Sequence, residues 1–369
     1  MRAAGPLVAE PSVFINGRFL TQSLSGVQRY AREIVRALDR RPGAGARYVL
    51  LTPQGADASD LDLQSIPVRP VRGGRGHLWE QTALAWAARH GQLLSLGGAG
   101  PILHPRQRVV IHDAAVFRHP GHFRRGYAAF HRGLGRLLAA RAALTTVSKF
   151  SRDELASVLN RPASSITVVP NGADHLARTA PDDRVRSMLG LSGRPYFVAL
   201  GNLAPNKNIA VMIRALRRLP DPDLRLVLIG ANAPAVFDRS APPPDPRIHF
   251  AGRRTDAEVA ALLRGARALI FASLYEGFGI PPLEAFAQDC PVIASNIPAV
   301  REVCGDAPDY FDPHDDAALA DCMARLSRTE STPRRLLQAR ARLAFYTWAG
   351  SARRLEALLA EDRLANTSR

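Results

Sequence analysis

The segment Ala268-Leu-Ile-Phe-Ala-Ser-Leu-Tyr-Glu-Gly-Phe-Gly-Ile-Pro-Pro-Leu-Glu284 combines three patterns in a short space. It begins with an apolar run, 268–272, which is typical of a strand buried on both faces. A loop with two glycines follows, and Pro282 favours the start of a helix because its fixed φ suits the first helical turn. A strand, a loop and a helix in this order predict one βα unit of a parallel sheet.

The same alternation continues in both directions along the chain. Runs rich in valine and isoleucine predict further strands, at 108–112, 144–147, 166–169, 196–200, 225–229 and 292–294. Amphipathic stretches predict helices, at 27–39, 123–141, 152–159, 209–219, 256–264 and 317–326. The polar segment 175–194 separates two such sets. We therefore expect an α/β fold of two Rossmann-like, doubly wound parallel-sheet domains that face a central cleft, with ligands at the carboxyl ends of the strands.

The composition is that of a globular protein. The chain has 369 residues, of which 46% are hydrophobic, enough for two ordinary cores. No apolar run approaches the roughly 18–20 residues of a membrane helix, and residues 1–10 lack the apolar core of a signal peptide. The three cysteines, Cys290, Cys304 and Cys322, show no metal-ligand spacing and no disulfide framework. We expect a cytoplasmic protein.

Positive charge is concentrated in the first half of the chain. The formal net charge is +16, and residues 1–174 hold 23 basic but 11 acidic residues, so negatively charged partners are favoured. Nucleic acid is not expected, since zinc-finger and ribonucleoprotein signatures are missing. The densest basic stretch contains Arg124, Arg125 and Arg132 among apolar residues at helical spacing. Two interpretations stay open, a helix lying on an anionic membrane surface or a core-packed helix with a solvated arginine face.

Several common chemistries lack their motifs. The chain contains neither a P-loop nor a Gly-x-Gly-x-x-Gly turn between a strand and a helix, and no Gly-x-Ser-x-Gly elbow supports a serine hydrolase. Two Asp-x-Asp triplets, at 60–62 and 221–223, lie in turn-like sequence. We therefore expect no metal site.

Two turns that lead into helices offer groups for a phosphate. Ser25 suits the N-cap of a helix, and Gly26 lets an anion approach the exposed N–H groups. The second turn follows a strand and supplies Gly201, Asn202, Asn206 and Lys207. Only two lysines stand beside 47 arginines, so a lysine at this turn indicates a compact charge near a diphosphate. An ordinary structural role is the alternative for both turns.

Three further side chains have chemistry to offer. Glu276 lies in the glycine loop and Glu284 in the first turn of the next helix, where carboxylates accept hydrogen bonds from sugar hydroxyls or compensate a helix dipole. His112 ends a strand in the basic half. Its alternative role is structural.

The spacing of Glu276 and Glu284 within Glu-Gly-Phe-Gly-Ile-Pro-Pro-Leu-Glu resembles the signature of the family-four retaining glycosyltransferases, which have the GT-B fold. Other motifs occur in the order of that family over nearly the whole chain: Ser-Gly-Val-Gln-Arg-Tyr at 25–30, His-Asp at 112–113, Val-Ser-Lys-Phe-Ser at 147–151, Val-Pro-Asn-Gly at 169–172, Pro-Asn-Lys-Asn at 205–208 and Phe-Ala-Gly at 250–252.

The resemblance implies a nucleotide-sugar donor held mostly by the second domain, without a cofactor. Glu276 would hold the sugar hydroxyls, Glu284 the ribose hydroxyls and Lys207 the diphosphate. The Gly26 loop would close from the first domain, and His112 would contact the transferring sugar or its phosphate. The remaining donor-binding candidates are Gly201, Asn202, Asn206, Gly277, Phe278, Gly279 and Ile280. Family members often have an arginine at the place of Asn202 or Asn206, so here Lys207 and backbone amides alone would hold the diphosphate.

The resemblance also implies a domain plan and a reaction. An acceptor-binding domain would cover 1–180, a donor-binding domain 190–345, and a final helix in 346–369 would cross back to the first domain. The reaction would be a retaining, metal-independent hexosyl transfer in which the leaving diphosphate takes the proton of the acceptor. The chain resembles mannosyl- and rhamnosyltransferases of bacterial surface polysaccharide assembly, so we expect GDP-mannose as donor and a glycan or polyprenyl-diphosphate-linked glycan as acceptor, at the inner face of the membrane. The alternative is a non-catalytic glycan-binding or scaffolding relative.

Overall fold

The computed structural model describes residues 12–201, 204–230, 245–328 and 333–367. The chain folds as two compact units. The first comprises residues 1–171 together with 348–369, and the second comprises residues 172–347. Each is built around a parallel sheet flanked by helices, which confirms the expected fold class.

In the described part of the first unit, the sheet has seven strands, all paired in parallel. They are β1 (Val13–Asn16), β2 (Tyr48–Pro53), β3 (Val68–Val71), β4 (Gln92–Ser95), β5 (Gln107–Val110), β6 (Ala143–Thr146) and β7 (Ile166–Val168). Their spatial order is β3-β2-β1-β4-β5-β6-β7. The order reverses between β1 and β4, and this switch point is where a doubly wound sheet opens a crevice for ligands.

Helical segments connect these strands. The α-helices of the first unit are Gly26–Asp39, Ala44–Arg47, Gly76–Trp79, Ala85–Ala87, Ala115–Arg118, Arg125–Arg141, Lys149–Leu159 and Trp348–Thr367. Short 3-10 turns occupy Gly17–Thr21, Ser59–Leu61, Pro120–His122 and Ala163–Ser165. A π-helical turn, Glu80–Leu84, joins two of the α-helical pieces into one continuous helical segment, 76–87.

The last helix, Trp348–Thr367, belongs to the first unit, as expected for the fold. Trp348, Ala352, Leu355 and Leu359 are buried along one face at the spacing of an amphipathic helix, and the helix packs against Gly26–Asp39. The rings of Tyr30 and Trp348 meet edge to face at 5.9 Å. Burial of these side chains ties the end of the chain to the first sheet.

Charged anchors reinforce this attachment. The guanidinium of Arg108 on β5 donates to both carboxylate oxygens of Asp362, at 2.7 and 2.8 Å. Glu356 accepts from Arg41 and Arg47, and Arg363 donates to the Ser12 hydroxyl at 2.9 Å. A bidentate Arg–carboxylate pair of this kind fixes the orientation of the helix as well as neutralising the buried arginine.

In the second unit, the described residues form a parallel sheet of six strands. They are β8 (Tyr196–Leu200), β9 (Arg225–Ile229), β10 (Ile248–Gly252), β11 (Ala268–Phe271), β12 (Val292–Ser295) and β13 (Asp309–Phe311), in the spatial order β10-β9-β8-β11-β12-β13. The helices are Asp174–Ala177, Arg184–Met188, Ile209–Arg217, Asp256–Gly265, Ile280–Phe286, Pro298–Cys304, Asp316–Arg328 and Pro333–Phe345. Here the switch point lies between β8 and β11.

The basic helix of the first unit differs in part from its expected form. It begins at Arg125, so Phe123 lies before it. Leu134 and Leu138 are buried in the core, whereas Tyr127, Phe130 and Leu137 are about half exposed. The predicted apolar face is therefore divided between the core and the surface. Across the described residues, no helix combines the length and the apolar character that a bilayer-crossing segment requires.

Candidate functional site

The switch point of the second unit brings two loops together. Gly201 follows β8, and the loop 272–279 follows β11, the neighbouring strand. Asn206 joins the two loops, since its side-chain amide donates to the Tyr275 carbonyl at 3.2 Å and its own carbonyl accepts from the Leu274 N–H at 2.8 Å. Asn206 therefore holds the loops in place. Asn202, another donor-binding candidate, lies outside the described residues.

Lys207 is positioned by the turn after Gly201. Pro205–Lys207 forms a 3-10 turn, and the lysine stem passes over the glycine. Gly201 has a φ of +139°, and a Cβ atom there would lie 3.3 Å from Lys207 Cε. A side chain at 201 would strain the backbone and push the lysine aside.

Lys207 and Glu276 form an ion pair at this place. Lys207 Nζ donates to Glu276 Oε1 at 2.5 Å, and the two side chains are 19% and 15% exposed. The ammonium also lies 5.4 Å from the centre of the Phe271 ring, a cation–π distance. One of the three lysine donors is used by Glu276, which leaves the others for a ligand anion.

The glycine loop turns its apolar side chains inward. Phe278 is 4% exposed and meets Tyr346 edge to face at 5.3 Å, and Ile280 is 8% exposed. The side chains of these two donor-binding candidates are buried and anchor the loop. Only their backbone groups are therefore left to contact a ligand. Gly279 has a φ of +100°, which favours glycine, and Gly277 is buried beside it.

Glu284 has a partner that the sequence interpretation missed. His175 Nε2 lies 3.0 Å from Glu284 Oε1, and the side chains are 5% and 14% exposed. The helix begins at Ile280 with Pro281 as its second residue, so Glu284 is the fifth residue rather than part of the first turn, and Pro282 is the third. His175 orients one carboxylate oxygen and leaves the other to accept hydrogen bonds.

His112 of the first unit is held as a neutral imidazole. Its Nε2 lies 2.9 Å from the Leu96 carbonyl oxygen, and its ring meets Tyr30 edge to face at 4.9 Å. A carbonyl only accepts, so Nε2 carries the proton and Nδ1 is an acceptor. Burial lowers the pKa of His112 to about 4, although the bond to Leu96 opposes this shift. At neutral pH the ring therefore does not act as a cation.

The switch point of the first unit holds a buried polar cluster. Glu80 is 1% exposed and accepts hydrogen bonds from the Asn16 amide and from His77 Nδ1, both at 2.8 Å, while Arg18 Nε lies 2.9 Å from Glu80 Oε1 as its ion-pair partner. Burial raises the pKa of Glu80, but the hydrogen bond from His77, the charge of Arg18 and the bond from Asn16 together lower it. Glu80 is thus a carboxylate that neutralises Arg18. No motif in the sequence marks this cluster.

A cavity of about 530 Å³ opens beside this cluster. Its lining alternates hydrogen-bonding side chains with aromatic rings: Arg18, Gln22, Ser25, Gln28, His77, Tyr127, Phe130 and His131. Burial, together with the charges of His77 and Arg18, lowers the pKa of His131 to about 4. With Arg18 balanced by Glu80, the lining offers many donors and acceptors but little net charge, which suits an uncharged polyhydroxyl ligand.

The helix that begins at Gly26 borders this cavity through Val27 and Gln28. Ser25 has the extended backbone of an N-cap, but its hydroxyl donates to Gln28 Oε1 at 2.5 Å instead of capping the helix. The expected N-cap hydrogen bond is therefore absent from the described contacts of Ser25. Of the candidate membrane-side arginines, Arg124 and Arg125 are exposed, and Arg132 is partly buried.

Comparisons with known proteins match both units. The model of "Glycosyltransferase Family 4" matches residues 24–175, and the model of "Glycosyl transferases group 1" matches residues 183–342. The first match lies in the first unit except for residues 172–175, and the second match lies entirely in the second unit.

Curated relatives agree with these matches. The chain is 28% identical over 352 residues to O-antigen chain mannosyltransferase B of Escherichia coli, which covers 86% of this chain and 92% of the relative. It is also 28% identical over 226 residues to O-antigen chain mannosyltransferase RfbU of Salmonella typhimurium, covering 58% of this chain and 59% of the relative.

Solved structures share the fold. Sucrose-phosphate synthase from Thermosynechococcus elongatus has a TM-score of 0.72 at 18% identity, covering 96% of this chain and all of the other. HepE of Anabaena, solved in complex with UDP and glucose, has a TM-score of 0.71 at 18% identity, covering 95% of this chain and all of the other. The matches to both family models, in order along two doubly wound sheets, show that the chain belongs to the family-four, group 1 glycosyltransferases and is a sugar-transferring enzyme.

Proposed function

We propose that this enzyme transfers mannose from GDP-mannose, with retention of configuration and without a metal ion, to a glycan acceptor in bacterial surface polysaccharide assembly. The observation that carries the donor side is the Lys207–Glu276 pair at the switch point of the second sheet. The names of the Escherichia coli and Salmonella relatives support mannose and the O-antigen class of acceptor.

We assign a different part of the donor to each member of the ion pair. Lys207 uses one N–H for Glu276 and offers the remaining two to the diphosphate, where negative charge grows as the sugar leaves. Glu276 keeps its second oxygen for sugar hydroxyls. The backbone of residues 277–280, which continues from Glu276 to the start of the next helix, is assigned to the donor as well. In a retaining front-face transfer, the departing diphosphate takes the proton of the acceptor hydroxyl, so no enzymic nucleophile is required.

The nucleoside end is assigned to Glu284. His175 holds one carboxylate oxygen, and the other accepts from the two ribose hydroxyls, a pairing that carboxylates make well. His112 is assigned a role suited to a neutral ring, in which Nδ1 accepts a hydrogen bond from a hydroxyl of the transferring sugar.

We assign the acceptor saccharide to the cavity of the first unit. Half-exposed Tyr127 and Phe130 provide ring faces for the C–H surface of a sugar, and Gln28 and its neighbours provide hydrogen bonds. A cavity of about 530 Å³ lies within the usual size range of small-molecule sites. The balanced charge of the lining favours a sugar over a phosphate here.

A polyprenyl-diphosphate-linked acceptor would bring the enzyme to the inner face of the cytoplasmic membrane. The +16 net charge supports this part of the proposal, and exposed Arg124 and Arg125 add attraction of about 1 kcal/mol each at an anionic surface. This attraction is expected to fade at high salt.

A donor panel tests the proposal. Thermal unfolding is measured with GDP-, UDP-, ADP- and dTDP-sugars, because a ligand that binds the native state raises the melting temperature. GDP-mannose is expected to give the largest shift and, with a mannosyl oligosaccharide acceptor, an α-linked product by NMR that forms equally in EDTA. A larger shift and faster turnover with another donor would replace GDP-mannose, and an inverted product would contradict retention.

A further inference from the structure

A second cavity borders the helical segment 76–87 and shares no lining residue with the first. It measures about 870 Å³ and opens between the edge strand β3 and the helical segment. Its lining comprises Phe14, Arg69, Pro70, Val71, Arg72, Thr82, Ala83, Trp86, Ala87, Arg89 and His90. We call it the edge groove. It is separate from the donor loops and from the acceptor cavity, and the function proposed above does not use it.

The edge groove is positively charged. Arg69, Arg72 and Arg89 are exposed at its rim, and the described lining contains no acidic residue. The nearest acid in the same stretch of chain, Glu80, is buried and already paired with Arg18. An anion that enters the groove therefore meets uncompensated positive charge.

The groove also exposes a large apolar side chain. Trp86 is 68% exposed, and Leu78, which lies outside the lining but on the same helical segment, is 63% exposed. The guanidinium of Arg89 lies 4.0 Å from the centre of the Trp86 ring, and that of Arg69 lies 5.5 Å from the centre of Phe14. A tryptophan left in water next to arginines has the composition of a membrane interface, where its amphipathic ring is most stable.

We propose that the edge groove binds the surface of an anionic phospholipid bilayer. Arg69, Arg72 and Arg89 contact lipid phosphates, while Trp86 and Leu78 enter the zone between the headgroups and the acyl chains. The occupant is a lipid and not free phosphate, because a small anion would leave Trp86 in water. The inference deepens the membrane part of the proposed function and rests on it.

The edge groove and the acceptor cavity share the helical segment 76–87, so membrane contact at the groove bears on acceptor binding. The same helical segment supplies His77 to the acceptor cavity, where the His77 ring lies 4.8 Å from Phe130. A bilayer that receives Leu78 and Trp86 would hold this segment at the membrane surface. A lipid-linked glycan would then reach the acceptor cavity without leaving the bilayer.

Vesicle flotation tests the proposal on the full chain. Phosphatidylglycerol and phosphatidylcholine vesicles are compared for the wild type, Trp86→Ala, and Arg69→Gln combined with Arg72→Gln. Trp86 is exposed, so its removal is not expected to lower the melting temperature. We expect both variants to bind phosphatidylglycerol at least about tenfold more weakly, and the wild type to prefer phosphatidylglycerol to phosphatidylcholine.

Matched controls separate the groove from general surface effects. Leu337→Ala and Arg184→Gln remove one highly exposed apolar side chain and one highly exposed arginine of the second unit, and both are expected to bind vesicles like the wild type. Unchanged flotation of the groove variants would overturn the proposal. So would displacement by inorganic phosphate that sodium chloride of equal ionic strength does not reproduce, since the groove would then be a phosphate site.

The sugar transfer itself is measured with a water-soluble acceptor and no lipid. Groove variants are expected to retain it. If the wild type binds vesicles through the groove but transfers no mannose, the proposed reaction fails while the lipid site stands.

Discussion

The ammonium of Lys207 lies 2.5 Å from Glu276 Oε1, although 69 residues separate the two in the chain. Both side chains are largely buried, so each charge has its partner in place before a donor arrives. Because the pair is neutral overall, the site avoids the cost of an isolated buried charge. It also holds both side chains in fixed positions, which favours stabilisation of a transition state over loose binding of the substrate.

Glu276→Ala is expected to reduce transfer by at least about 100-fold, equivalent to roughly 2.7 kcal/mol in the barrier. The variant loses the acceptor for the sugar hydroxyls and leaves Lys207 without its anchor. Initial rates with saturating donor measure the effect, and circular dichroism checks the fold. Glu361→Ala, at an exposed position of the last helix, is the control. A rate for Glu276→Ala close to that of the wild type would remove Glu276 from the site.

Lys207→Ala is expected to weaken the binding of nucleoside diphosphate much more than that of the nucleoside, because only the former presents an anion to the ammonium. Isothermal titration calorimetry with GDP and guanosine measures both constants. The other lysine, Lys149, is exposed, and Lys149→Ala serves as the charge-matched control. Equal losses for GDP and guanosine would show that Lys207 does not contact the phosphates.

His175→Phe is expected to weaken GDP binding by about tenfold, the value of one hydrogen bond to a charged group. The variant keeps a ring in the buried position but removes the bond that orients Glu284. A deoxyribose analogue of GDP supplies the second readout. If His175 acts through Glu284, the variant and the analogue should not have additive effects, whereas additive losses would assign His175 a purely structural role.

The pH dependence of stability is expected to carry the signature of His112. Its pKa of about 4 in the folded protein lies below the ordinary value of about 6.5 for an unfolded chain. Between these pH values the unfolded state binds a proton at His112 that the folded state does not bind. The free energy of unfolding that His112 contributes above pH 6.5 is therefore lost as the pH falls toward 4. His112→Gln should lose about 2 kcal/mol less than the wild type between pH 8 and pH 5 in urea titrations. Equal losses would mean that the fold does not lower the pKa of His112.

Asp362→Ala is expected to lower the free energy of unfolding of the first unit by about 3 kcal/mol, since it leaves the buried guanidinium of Arg108 with two threonine hydroxyls as its partners. Arg108→Met combined with Asp362→Leu is expected to restore most of this loss, because the buried charge is then removed as well. If the double variant shows no recovery, the Arg108–Asp362 pair holds the helix Trp348–Thr367 in a position that apolar contacts cannot maintain.

The predicted strands correspond to β5, β6, β7, β8, β9, β11 and β12. β1 and β2 were missed although each contains a buried apolar run, Val-Phe-Ile and Val-Leu-Leu, and β10 and β13 were missed as well. The edge strand β3 was missed because its sequence, Val-Arg-Pro-Val, is exposed and carries a proline and an arginine, so it has no buried run. β4 was missed because Gln92 and Ser95 place polar side chains at both ends of a four-residue strand.

The candidate site divides in a similar way. Lys207 and Glu276 were recognisable because both follow strands that the apolar pattern marks, and the carboxyl ends of such strands form ligand sites. Their direct contact could not be predicted, since spacing along the chain does not set a distance across a sheet. His175 and Glu80 gave no signal at all, because each lies in a short helical element and acquires its role only from partners far away in the sequence.

The first unit is discontinuous in the chain, because its last helix, Trp348–Thr367, follows the whole of the second unit. On the ribosome, the first sheet is therefore made early but lacks Trp348, Leu355 and Leu359 until the helix Trp348–Thr367 has been synthesised. At about 5–20 residues per second, the interval from residue 171 to residue 367 lasts roughly 10–40 s. The second unit, which is continuous, can finish folding in this interval while the Arg108 guanidinium still waits for Asp362. The order of folding thus runs opposite to the order of synthesis, and chaperones that shield apolar surfaces would act on the first unit.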